Sequence, residues 1–307
     1  MKKISIKDII FVKKRGFAGI THVLIAIFFI FIFLYLQIPQ ILQYQELIKN
    51  NWRITVLMFF ILSGASLLPD LDNNRSTAYF QLGIFGKIIN KLMFVTSKIA
   101  TIFRMKNDYI PKTLHRCLWH TLLVPATLIY IFIKIPNYED INYFQLFEQN
   151  GINALFIYWP LHISVILSLC CIHLSLVVLS VRLLKPFPKI VQQIISKLLL
   201  VALFLILFIS SINEFKLFGL CIAFGYLIHI ISDIFSELSA PLLWPIPILW
   251  KRMWWWRPRS KRIFGRMKIN DIGSKILNII LVTLNIFLFY LLFIHDRLML
   301  LLENYNL

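Results

Sequence analysis

The sequence predicts an all-α protein, a polytopic bundle of about seven transmembrane helices, with its N-terminus cytoplasmic and its C-terminus external. Three observations predict it. Of the 307 residues, 59% are hydrophobic and 15% charged, whereas a soluble domain is nearer half apolar and a quarter charged. The apolar residues gather in runs of about the 17–25 residues that cross a bilayer. Lys and Arg collect in every second connection between those runs, as the positive-inside rule requires. Together these exclude a soluble enzyme, a disordered tail protein and a secreted disulfide scaffold. A membrane β-barrel is excluded as well, because its strands would alternate apolar and polar residues.

The first run, about 17–36, follows a basic segment from Met1 to Gly16. No small-residue cleavage site follows it, so it reads as a signal anchor. The second run covers about 54–69, and Pro69 biases Leu68 away from helix, which places the end of the span there. A cytoplasmic segment over about 80–103 is helical by period, with Lys87, Lys91 and Lys98 on one side and Ile84, Ile88, Leu92, Val95, Ile99 and Phe103 on the other. Such an amphipathic helix either lies in the membrane interface or packs on the bundle. The third and fourth runs cover about 117–134 and 155–181, and the fifth, about 198–212, is the shortest. The sixth and seventh cover about 217–235 and 276–295. Between those two, residues 242–268 hold Trp244, Trp250, Trp254, Trp255 and Trp256 among Pro and Arg, as an interfacial segment does. No linker or repeat interrupts the chain, so residues 1–307 read as a single membrane domain.

Orientation follows from the cations. The N-terminus and the 73–116, 182–197 and 236–275 connections carry 27 of the 32 Lys and Arg residues, and the alternate set carries 5. A multi-pass protein of the cytoplasmic membrane is expected. The net charge of +18 then faces anionic lipid head groups rather than nucleic acid, since the cations lie between apolar runs. Cys117, Cys170, Cys171 and Cys221 form no C-x-x-C pair and read as small buried residues.

Ionisable groups in or beside membrane spans are expensive, so each suggests a functional site. His22 lies at the start of the first span, and Asp70 and Asp72 end the second. His115, Arg116 and His120 open the third, and His229 and Asp233 lie near the end of the sixth. On the charge-derived topology all of these fall at the cytoplasmic ends of their spans. His229 and Asp233 are four apart and share a helix face with Tyr226. If the residues after Pro69 are extended, Asp70 and Asp72 point to one side. His115 and His120 converge only if His115 belongs to the turn before the helix. Four imidazoles and three carboxylates suit Zn²⁺, Mn²⁺ or Fe²⁺ better than Ca²⁺, as one ion or two. A metal held there would activate water or clamp a phosphoryl group. Arg116 would hold a phosphate oxygen, and Asp70 or Asp72 is the candidate general base. His162 and His173 are expected to be hydrogen-bonded interior histidines.

These motifs resemble the YdjM-type family of membrane-bound metal-dependent hydrolases. The resemblance rests on His22; on Leu68-Pro69-Asp70-Leu71-Asp72 with Ser76; on His115-Arg116 with His120; on Gly225-Tyr226 with His229 and Asp233; and on Leu243-Trp244-Pro245. It spans residues from about 17 to 250. It implies a metal-dependent hydrolase, acting on a phosphoester or lipid-linked substrate at the cytoplasmic face. Asn73 stands where many relatives have His, Cys117 and Trp119 replace Gly and Thr, and Thr121 replaces Ser. Trp119 would narrow or close the substrate site. Two other classes remain open: a non-catalytic metal-stabilised membrane protein, and an ion or solute transporter. A vanadium-peroxidase-type lipid phosphatase is excluded, because no Ser-Gly-His segment follows the Lys251–Pro258 stretch.

Overall fold

The computed structural model describes residues 19–36, 45, 48, 51–74, 76–103, 117–136, 143–151, 153–184, 186–234 and 271–295. His115, Arg116, the Trp-rich 242–268 segment and the basic N-terminal segment lie outside the described residues. The helices are α1 (Gly19–Tyr35), α2 (Trp52–Ala65), α3 (Thr77–Gln81), α4 (Gly83–Ala100), α5 (Leu123–Ile133) and α6 (Tyr143–Asn150). They continue with α7 (Asn153–Ile157), α8 (Trp159–Leu183), α9 (Lys189–Phe208), α10 (Ile212–Ile234) and α11 (Asp271–Phe289).

Five helical stretches are long and apolar enough to cross a membrane: Trp52–Asp72, Trp159–Ser180, Ile190–Phe208, Ile212–Asp233 and Ile276–Ile294. The protein is therefore built to be membrane-embedded. Ile20–Tyr35 and Leu123–Ile133 are apolar but shorter. All seven apolar runs thus form helices, and five of them have spanning length.

The centre of the bundle is α2 and α10, with 72% and 67% of their spanning windows buried, against 11% for those of α9 and α11. Packing at the centre is close because the sequence supplies glycines there. A Cβ on Gly64 of α2 would overlap the Cys171 carbonyl of α8, and one on Gly225 of α10 would stand 2.7 Å from the Leu62 carbonyl. Small residues at such crossings let helix backbones approach where lipid provides no hydrophobic drive. Side-chain hydrogen bonds add to this. Ser164 Oγ of α8 donates to Phe215 O of α10 at 2.6 Å, and Asn285 Nδ2 of α11 donates to Leu24 O of α1 at 3.1 Å. α1 turns Val23, Ala26, Ile27, Ile30 and Leu34 inward at helical spacing. α2 starts at Asn51, whose Oδ1 accepts from the amides of Arg53 and Ile54.

Four local expectations are corrected. Leu68 keeps helical dihedrals (φ −60°, ψ −41°), and Pro69–Asp72 is a 3-10 turn rather than an extended segment. Proline is tolerated there because it occupies the first position of that turn, where its missing N–H is not needed. The amphipathic segment is two helices, broken at Gly83 with φ of 56°, a backbone region that favours glycine. The third run opens with a 3-10 turn, Leu118–His120, and becomes α-helical only at Leu123. The helix of the fifth run, α9, starts at Lys189, well before residue 198. Its first turns carry polar residues that hid it from a search for apolar runs.

Candidate metal centre

Four segments meet at one place. α10 sets His229 and Asp233 one turn apart on one face. α1 supplies His22 from its first turns. The Pro69–Asp72 turn supplies Asp70 and Asp72, and the Leu118–His120 turn supplies His120. His22, His120, His229 and Asp233 are essentially fully buried. The Asp72 side chain is 4% exposed and that of Asp70 is 22% exposed.

The protons in this cluster can be assigned from its hydrogen bonds. His229 Nδ1 lies 2.6 Å from the Ser66 carbonyl oxygen, which can only accept. Nδ1 therefore carries a hydrogen, and Nε2 is the ring nitrogen turned toward the carboxylates. Ser232 Oγ donates its one hydrogen to His229 O at 2.8 Å. Ser232 Oγ must then accept from His22 Nδ1, 2.6 Å away. Both Nε2 atoms face the same carboxylate: His22 Nε2 is 3.8 Å from Asp233 Oδ1, and His229 Nε2 is 3.5 Å from Asp233 Oδ2. His229 Nε2 is also 3.8 Å from Asp70 Oδ1.

Imidazole nitrogens and carboxylate oxygens face one another in a buried site with a proton or a cation between them. Protonating both imidazoles is unfavourable. The His22 and His229 rings are stacked with centroids 4.0 Å apart, and two imidazolium charges at that distance repel strongly out of water. A single imidazolium satisfies part of the cluster, and one metal cation among the Nε2 atoms and Asp233 satisfies all of these contacts at once. His120 completes the arrangement: its Nε2 lies 3.4 Å from Asp233 Oδ2 and its Nδ1 lies 3.2 Å from Asp72 Oδ2. An imidazole between an inner and an outer carboxylate is how metal-ligating histidines are commonly oriented.

Two ligand groups follow, His22–His229–Asp233 and Asp70–His120–His229, each with its donor atoms within 4.8 Å of one another. These buried His/Asp groups could hold a metal ion. Contacts of 3.4, 3.5 and 3.8 Å match the donor–donor edge of about 3.4 Å expected for a tetrahedral ion with bonds of about 2.1 Å. His229 belongs to both groups, so they overlap and are not two independent sites. Asp233, with one oxygen toward His22 and the other toward His120 and His229, could bridge a second ion.

No family model matches the chain, and no curated protein or solved structure matches it either. The chemistry of the centre is therefore argued from its geometry.

Six of the seven sequence-derived ligands come together: His22, Asp70, Asp72, His120, His229 and Asp233. The seventh, His115, lies outside the described residues, as does Arg116. Asp70 and Asp72 both reach the cluster, from a 3-10 turn rather than an extended segment: Asp70 Oδ1 lies 3.8 Å from His229 Nε2 and Asp72 Oδ2 lies 3.2 Å from His120 Nδ1. The Trp119 side chain is held on α4. Its indole Nε1 donates to Met93 O at 3.1 Å and to Thr96 Oγ1 at 2.9 Å, both on α4. Its carbonyl accepts from Tyr226 OH at 2.6 Å, so the residue pins neighbouring segments together. Ser76 caps α3 by accepting from Tyr79 N. His162 is satisfied away from the cluster, by Tyr143 OH at 2.8 Å and Ala154 O at 3.1 Å, and His173 donates to Gln81 O.

Sequence reasoning missed Ser232 and the Ser66 carbonyl. Ser232 carried a usable signal, since it sits three residues after His229 and beside Asp233. A backbone carbonyl carries none. Ser232→Ala removes the acceptor that orients His22 without touching a ligand atom. It is expected to weaken divalent-metal binding about 10–100-fold, the usual cost of losing an outer partner, in a competition titration of purified protein.

Proposed function

We propose that this chain is a membrane-bound, metal-dependent hydrolase that cleaves a phosphoester or lipid-linked substrate at the cytoplasmic face of the cytoplasmic membrane. The observation that supports it is the buried His22–His229–Asp233 group, whose ligand atoms lie within 4.8 Å of one another. In this reading His22, His120, His229 and Asp233 hold the ion, with Zn²⁺ favoured and Mn²⁺ or Fe²⁺ also compatible with a nitrogen and oxygen set. When bound, the ion would supply Lewis-acid polarisation of a phosphoryl oxygen. Asp72 orients His120. Asp70, the most exposed carboxylate of the cluster, meets the arriving water and serves as general base. Arg116 would stabilise charge on the phosphoryl oxygens, and Lys at that position would serve less well because the two-pronged contact is lost.

The reading uses seven spans with the N-terminus inside, which brings the ends of α1, α2 and α10 that carry the cluster to the cytoplasmic side. A reporter fused after Pro188 is expected to read as cytoplasmic and one fused after Leu307 as external. A cytoplasmic C-terminus contradicts the orientation.

Activity is tested on purified, metal-loaded protein with a chromogenic phosphodiester and with phospholipid in mixed micelles. Asp70→Asn is expected to lower turnover by about 10²–10⁴, the typical contribution of a general base, with metal content retained. A second reading has an observation in its favour. His22, His120, His229 and Asp233 are almost sealed from solvent, as expected of a metal that only stabilises a fold. Metal retained with no turnover of any phosphoester, lipid or amide would select that reading, whereas ion flux through vesicles containing the protein would select a transporter.

A further inference from the structure

α4 has three faces. Gly86, Met93, Ser97 and Ala100 are buried against the rest of the protein. Ile84, Ile88, Leu92, Val95 and Ile99 are exposed, with Ile84 at 69%. Lys87, Lys91 and Lys98 are exposed along the edge of that apolar stripe, and α4 contains no acidic residue. A cationic edge beside an apolar stripe is complementary to an anionic bilayer surface, where acyl chains take up the stripe and head groups take up the ammonium groups. A bilayer is at hand, because five neighbouring helical stretches have membrane-spanning length and composition.

The buried face is tied to both ligand-bearing turns. Asn90 Nδ2 donates to Leu71 O at 2.6 Å, and Leu71 is the residue between Asp70 and Asp72. Trp119, adjacent to His120, donates from Nε1 to Met93 O and Thr96 Oγ1. α4 thus holds the Pro69–Asp72 turn with one residue and the Leu118–His120 turn with others. Asp70, Asp72 and His120 all depend on where this helix lies.

We propose that α4 docks on an anionic membrane surface and there acts as a clamp on the two ligand turns, so that lipid contact strengthens metal binding. The inference rests on the metal reading above and adds its regulation. Without lipid charge the helix is held only by its inner face, and His120, with Asp72 that orients it, is less well placed.

The experiment uses the full chain in phosphatidylcholine vesicles, with and without phosphatidylglycerol. Co²⁺ affinity is read by competition with a chelating dye, and a nitroxide on Ile88→Cys reports immersion from its accessibility to oxygen and to a water-soluble nickel complex. The expected result is a lipid-immersed label and a several-fold gain in Co²⁺ affinity on adding phosphatidylglycerol. The combined Lys87→Gln, Lys91→Gln, Lys98→Gln variant should lose that gain while keeping its affinity in phosphatidylcholine. Trp119→Phe, which keeps a ring but loses the Nε1 donor, should lose it with the label still immersed. A label in water overturns the docking and assigns the stripe to a protein contact. Equal gains in wild type and the triple variant, or no gain in wild type, overturn the clamp. If no vesicle supports Co²⁺ binding while the label is immersed, the metal reading itself fails and the clamp falls with it.

Discussion

Asp233→Asn is expected to lower divalent-metal affinity by about 100-fold or more, beyond the range for an outer partner, and to leave the helices inserted. Asp233 touches every imidazole of the described cluster: Oδ1 faces His22 at 3.8 Å, and Oδ2 faces His120 at 3.4 Å and His229 at 3.5 Å. Asparagine preserves shape, so packing around this buried position changes little. What is lost is the negative charge and one oxygen donor. The remaining amide nitrogen is a hydrogen-bond donor and not a ligand. It can turn toward an imidazole lone pair, satisfying by a hydrogen bond what an ion would otherwise satisfy. Competition titration measures the affinity and circular dichroism the helix content. An affinity equal to wild type would remove Asp233 from the site.

Gly64→Ala has the largest expected effect on the fold. A methyl at this position would overlap the carbonyl and Cα of Cys171. The obstacle is backbone, which cannot rotate out of the way as a side chain would. α8 must move off α2, and Ile61, Leu62 and Ile172, all buried at this crossing, would lose contact together. Overpacking of a dense core costs about 1–3 kcal/mol and sometimes more, against a total stability of about 5–15 kcal/mol. The apparent Tm in detergent is expected to fall by about 5 °C or more, on the scaling of roughly 2–4 °C per kcal/mol for chains of this class. Gly83→Ala is the comparison. Nothing lies near its Cβ, and its cost comes only from φ of +56°, about 1 kcal/mol. Equal melting of the Gly64 variant and wild type would show that the α2–α8 contact is looser than described.

Much of this was legible in the sequence, for identifiable reasons. The apolar runs gave the helices because burial in lipid demands long uninterrupted segments. His22, Asp70, Asp72, His120, His229 and Asp233 stood out because charge near a membrane core is costly. Their meeting could be anticipated from one side of the charge alternation without any contact being known. The contacts that Asp70 and Asp72 make, with His229 and His120, were not legible. They depend on whether four residues after Leu68 are extended or wound into a 3-10 turn, and proline at the first position is compatible with both. The partners of Trp119 were hidden for a similar reason: only the fold reveals that α4 offers Met93 O and Thr96 Oγ1 to its indole. The start of α9 was hidden because Lys189, Gln192, Gln193 and Lys197 interrupt its apolar pattern.

The central claim is that the His/Asp cluster holds a divalent metal through nitrogen and oxygen donors. Elemental analysis with metal-edge X-ray absorption, on full-length protein purified in detergent without chelators, tests it most directly. The account predicts about one to two ions per chain, nitrogen and oxygen neighbours at about 2.0–2.2 Å and the scattering signature of imidazole. Protein that carries no ion after equilibration with Zn²⁺, Mn²⁺ or Fe²⁺, or an ion with sulfur neighbours at about 2.3 Å, would contradict it.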